Sequence, residues 1–120
     1  MNNESVFQLV IEALNEKKAQ DVKAIDISEL TTIAQYFIVC NGTSTTHIKT
    51  LADRVEEKLS ESGVQCLRRE GYNSARWILM DYGDIVLHIF HEEDREFYGL
   101  ERLWQDGKPV SVDGFQAARA

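Results

Sequence analysis

The sequence predicts an α/β fold: a mixed β-sheet with helices packed on it. Three observations carry that reading. Two apolar runs, Trp77-Ile78-Leu79-Met80 and Ile85-Val86-Leu87-His88-Ile89-Phe90, are joined by Asp81-Tyr82-Gly83-Asp84, the pattern of a tight β-hairpin. Ala34-Gln35-Tyr36-Phe37-Ile38-Val39-Cys40 is almost continuously apolar, as a strand covered on both faces should be. Apolar residues recur at helical spacing near the N-terminus and again between Ile48 and Leu59. The resulting order, α-β-β-α-β-β-β-α, lacks strict strand–helix alternation, so the sheet is expected to be mixed rather than parallel.

Each element has its own justification. Residues 4–18 read as an amphipathic helix, with Val6, Phe7, Val10, Ile11, Ala13 and Leu14 on a wide apolar stripe and Lys17 and Lys18 near its negative end. Val22 to Ile27 reads as a short strand. After the apolar run to Cys40, Asn41-Gly42-Thr43-Ser44-Thr45 ends the strand, and Thr43 or Ser44 is placed to cap the next helix. In that helix Ile48, Leu51, Ala52, Val55 and Leu59 form the buried stripe, and Gly63 is the stop that a left-handed C′ position requires. Val64 to Arg69 is read as a third strand, followed by the polar loop Glu70–Ser74. Beyond the hairpin, residues 92–104 read as a last helix whose first turn carries Glu92, Glu93 and Asp94. Residues 1–105 are therefore expected to form one domain. Residues 106–120, with Gly107, Pro109 and Gly114 and no periodicity, are expected to be a loosely held tail.

A chain of 120 residues buries roughly two-thirds of its unfolded surface and needs no staple. Its formal charge is −7, from 13 basic and 20 acidic residues. Binding to nucleic-acid phosphates or to anionic lipid favours the opposite sign, so direct nucleic-acid and membrane roles are disfavoured, and a basic protein partner suits the charge. Cys40 and Cys66 both lie in apolar runs with no CxxC and are read as reduced and buried. Met1-Asn2-Asn3-Glu4 runs straight into a helix, so no targeting signal is expected and the location is read as cytoplasmic.

Gly42-Thr43-Ser44 sits between a strand and a helix, where free amides can hold an anion, but it lacks the P-loop Lys-Ser/Thr and the GxGxxG pattern and reads as a capped turn. Asp81 and Asp84 are three apart across a Gly turn, whereas carboxylates sharing a strand face are two apart, so turn chemistry is favoured over a metal site. His88-x-x-His91 with Glu92 lacks a further ligand, and His88, inside an apolar strand, is expected to bond a neighbour. No nucleophile stands beside a base. No catalytic residue, metal or cofactor is expected. Among the aromatics, Trp77, Leu79 and Asp81 share one strand face, and Ile78 and Met80 share the other. Phe97, Leu100 and Trp104 fall on one helical stripe, and Phe97 and Leu100 are read as core. For Trp77 and Tyr98, core residue and exposed anchor both remain open. Tyr and Trp beside Arg and Glu are typical of interface hot spots.

Several stretches together resemble the ribosomal silencing factor family, also called RsfS or Iojap. They are Asp21 to Ile27; Tyr36-Phe37-Ile38-Val39-Cys40-Asn41-Gly42-Thr43-Ser44; Glu70-Gly71 with Trp77; Asp81-Tyr82-Gly83-Asp84 with His88; and Arg95-x-Phe97-Tyr98-x-Leu100-Glu101-x-Leu103-Trp104. The resemblance runs from about residue 5 to about residue 105 and leaves out the tail after Gly107. It implies a nucleotidyltransferase-like α/β fold. It also implies binding to the large ribosomal subunit through its protein number fourteen, blocking of subunit joining, and in many members a homodimer. The sequence departs from active nucleotidyltransferases, because Gly42-Thr43-Ser44 only echoes their Gly-Ser turn and no Asp-x-Asp pair follows on a strand. On this reading Trp77, Met80, Tyr82, Tyr98 and Leu100 are the expected apolar anchors. Asp81, Asp84 and Glu101 are expected to meet basic groups, and several of these residues line a homodimer contact in the alternative. Two other functions compete: a divergent nucleotidyltransferase using Asp81 and Asp84, and an oligomeric scaffold with no ribosomal role.

Overall fold

The computed structural model describes residues 2–30, 32, 34–93, 107–110 and 112. Helix α1 (Asn3–Glu16) starts where Asn2 leaves helical geometry and its side chain accepts the Ser5 N–H at 2.8 Å. It buries Val6, Phe7, Val10, Ile11, Ala13 and Leu14, the stripe that the spacing predicts. Strands β1 (Gln20–Asp26) and β2 (Tyr36–Gly42) follow, and α2 (Thr45–Glu61) starts at Ser44, whose hydroxyl accepts the His47 N–H at 3.0 Å. Gly63, at φ +81°, follows the helix end in the left-handed region. Then come β3 (Arg68–Glu70), β4 (Trp77–Asp81), β5 (Ile85–His91) and β6 (Lys108–Val110).

The strands form one mixed sheet in the order β3-β4-β5-β2-β1-β6. β2 and β5 run parallel, Tyr36 opposite Ile85 and Gly42 opposite His91, and the other described pairs are antiparallel. Side chains alternate across the sheet, which divides it into two faces. Ala24, Ile38, Cys40, Ile78, Met80, Leu87 and Ile89 join the core that α1 and α2 cover. The other face carries Ile25, Phe37, Leu79 and Val86, with Val39, His88 and Phe90 at alternate positions beside them. The two helices are also tied by charge: Glu16 accepts from Arg54 Nε at 2.5 Å and from Lys58 Nζ at 2.9 Å. Those two cations hold the Glu16 carboxyl down at about 2.

Two expectations need correction. The third strand begins at Arg68 rather than Val64. Cys66 consequently lies in the loop before it and is partly exposed, while Cys40 is buried as expected; neither is in a disulfide. Within residues 106–120, the described Lys108–Val110 form β6, which pairs with β1 through Ala24–Val110, Ile25–Pro109 and Asp26–Lys108. The helix read over 92–104 falls almost wholly outside the described residues.

Candidate functional site

The second sheet face is where the aromatic residues gather. Trp77 opens β4 opposite Phe90 of β5, and their rings stack with centroids 5.2 Å apart. His88, two residues earlier on β5, has its ring 4.9 Å from that of Phe37 and nearly parallel to that of Phe90. The Trp77 indole N–H donates to His88 Nδ1 at 2.9 Å, so the expected neighbour bond of His88 is present. That bond assigns the imidazole proton to Nε2, which is buried with no partner among the described residues. Burial lowers the His88 pKa from 6.5 to about 4, which keeps the ring neutral.

This face is closed in its middle and more open at one side. Phe90, Val39, His88 and Ile25 are all under 5 % exposed. Trp77, Leu79 and Phe37 are half-buried. Beyond Leu79, the register sets Arg68 of β3 beside Asp81 and Glu70 beside Leu79, so an exposed charged rim borders the apolar patch.

The chain reaches Trp77 through a constrained loop. Gly71 sits at φ +81°, and a Cβ there would lie 2.1 Å from the Trp77 carbonyl oxygen. Only glycine allows that approach. Ala75, fully buried, also takes a positive φ of 52°, and its N–H donates to the Gly71 carbonyl at 3.0 Å. The Arg76 carbonyl accepts the His91 N–H at 2.9 Å, which fixes the start of β4 against the end of β5.

Among the described residues, the sequence-predicted site residues do not form one cluster. Trp77 and Asp81 share the second face but sit at opposite ends of β4, about 13 Å apart by strand rise. Met80, expected as an apolar anchor, is fully buried under the helices: the alternation that turns Leu79 outward turns Met80 inward. Tyr82 leans on the same helix-covered core beside Cys66, and burial raises both its phenol and the Cys66 thiol. Asp81 Oδ1 accepts the Gly83 N–H at 2.8 Å, and Asp84 Oδ2 accepts from Asn3 Nδ2 at 3.2 Å. Both carboxylates therefore serve the hairpin and its tie to α1. No group of three metal-binding side chains occurs among the described residues. Tyr98, Leu100 and Glu101 lie outside the described residues.

Sequence reasoning passed over Leu79 and Phe37, although strand alternation pointed to Leu79. It also passed over Leu67, which is 71 % exposed beside the hairpin turn, its N–H donating to the Asp81 carbonyl at 2.8 Å. An apolar residue at the start of an edge strand was the available signal.

The family described as ribosomal silencing factor during starvation matches residues 1–120. The chain belongs to the ribosomal silencing factor family. The match includes the tail that the sequence resemblance leaves out. A ribosomal silencing factor RsfS from Halalkalibacterium halodurans is 38% identical over 114 residues, covering 95% of this chain and 97% of that one. A crystal structure of a Chromobacterium violaceum protein superposes with a TM-score of 0.84 at 39% identity, covering 92% of each chain. A more distant mouse relative, mitochondrial assembly of ribosomal large subunit protein 1, is 27% identical over 101 residues, covering 82% of this chain and 44% of that one. The mixed α/β sheet is thus the fold of silencing-factor relatives. Among the described residues no helix is long and apolar enough to cross a membrane.

Proposed function

We propose that this chain is a translational repressor that binds the large ribosomal subunit through its protein number fourteen and blocks joining of the small subunit by occupying the joining surface. Family membership is the observation that carries this reading, and the mouse relative's name, with its large ribosomal subunit, points the same way. The half-buried Trp77, Leu79 and Phe37 supply an apolar contact. Asp81, with Arg68 and Glu70 beside it, supplies a polar rim of the kind that surrounds such contacts. Tyr82, Asp84, Tyr98, Leu100 and Glu101 are the remaining candidates for the contact. A net charge of −7 disfavours ribosomal RNA and steers the chain toward a basic protein surface. Inhibition of this kind requires no bond-making: a standard interface of about 1,200–2,000 Å² places a folded body in the path of the other subunit. The chain acts in the cytoplasm on this reading, and a homodimer is its resting form.

Co-sedimentation tests it. The purified chain is expected to travel with large subunits and not with small ones. Equal binding to both, or to neither, overturns the proposal. The nucleotidyltransferase reading makes a separate prediction, magnesium-dependent nucleotide heat in calorimetry that Asp81→Asn abolishes. With Asp81 Oδ1 engaged by the Gly83 N–H, no such heat is expected.

A further inference from the structure

We infer that His88 is a positioning residue whose Nδ1 presets the Trp77 indole in the orientation in which this face binds its partner. The inference rests on the proposed role of that face.

All seven residues of β5 are buried, and the His88 ring lies among Phe37, Trp77 and Phe90. An apolar side chain of similar size fits such surroundings without a polar atom to satisfy. The imidazole brings two nitrogens out of water, and Nε2 finds no acceptor among the described residues. Buried donors left unmade oppose folding. Packing alone therefore favours leucine or phenylalanine at position 88. A residue that weakens the core locally is commonly retained for function.

What the imidazole gains is one bond, from the Trp77 indole N–H at 2.9 Å. Trp77 is the first residue of β4 and half-buried, with its ring between Phe90 and His88. The stack on Phe90 sets the ring plane, and the bond to His88 sets which edge points inward. Gly71 and Ala75 fix the backbone beneath it. A side chain already ordered in the free protein loses less entropy on binding, which strengthens the complex without adding a contact.

Three measurements on the full chain test this: thermal melting, affinity for purified large subunits, and hydrogen exchange of the Trp77 indole N–H. The indole signal is identified by its loss in Trp77→Phe. His88→Leu removes the acceptor, and His88→Gln restores one. The expected result is that His88→Leu melts at or above the wild-type temperature, yet binds large subunits roughly tenfold more weakly. Its Trp77 indole proton exchanges fast. His88→Gln recovers part of both the affinity and the protection. A folded His88→Leu that binds as tightly as wild type overturns the inference and leaves the ribosomal proposal standing. If the wild type fails to bind large subunits, the ribosomal proposal falls and indole exchange alone decides. Equal protection in wild type and His88→Leu then overturns the positioning role. Should His88→Leu not fold, His88→Phe takes its place in the same comparison.

Discussion

Acidification acts on this fold through His88, and the size of the effect follows from its burial. The folded-state pKa is about 4, against 6.5 when the ring is exposed. Between those values the unfolded chain binds a proton that the folded chain refuses, so stability falls as pH falls. The contribution is fully present well above pH 6.5, declines through that value, and is lost completely below about 4. The whole shift corresponds to roughly 3 kcal/mol, and the part lost between pH 8 and pH 5 is about 2 kcal/mol. For a domain of this size that lowers the melting temperature by about 8 °C. Urea unfolding at pH 8, 7, 6 and 5 measures it, with His88→Leu alongside to remove this titration while sharing every other. The wild type is expected to lose about 2 kcal/mol more than the variant across that range. Parallel curves for the two proteins would refute the reasoning, because they would mean that the ring is solvated in the native state.

The other predictions concern the two faces of β4 and the loop that leads to it. Met80→Ala leaves a cavity under the helices and is expected to cost about 2–5 kcal/mol in urea unfolding. Leu79→Ala, on the half-buried face, is expected to cost clearly less and to weaken co-sedimentation with large subunits instead. Trp77→Ala is expected to reduce that binding by about thirtyfold or more, as loss of a hot-spot residue does, with the circular dichroism spectrum retained. Gly71→Ala places a methyl group against the Trp77 carbonyl at a positive φ and is expected to lower the melting temperature by several degrees. An unchanged melting curve would show that the loop relaxes freely.

The elements that were legible in the sequence are those with strong local signals. Helix α2 announced itself by its apolar stripe, its hydroxyl cap and Gly63. The hairpin announced itself by the Asp-Tyr-Gly-Asp turn between two apolar runs. Strand β3 was misplaced because Val64-Gln65-Cys66-Leu67 has β-like composition, yet its pairing with β4 begins at Arg68. Strand β6 was missed because Lys108-Pro109-Val110 is too short for a period and contains the proline that normally argues against a strand. An edge position tolerates it. The site was half legible. Alternation separated Trp77, Leu79 and Asp81 from Ile78 and Met80, but it does not say which set the helices cover. Met80 was therefore expected among the anchors, whereas α1 and α2 close over it. The Trp77–His88 bond and the closeness of Gly71 to Trp77 join residues eleven and six positions apart through strand register and loop path, which local pattern does not encode.

Subunit coupling is the most direct measure of the central idea that this chain silences by obstruction. Purified large and small subunits are mixed with magnesium, with and without a molar excess of the chain, and the coupled fraction is read by light scattering or gradient sedimentation. Coupling is expected to fall as the chain is added and to recover when small subunits are bound first. Unchanged coupling at a concentration that saturates the large subunit would contradict it.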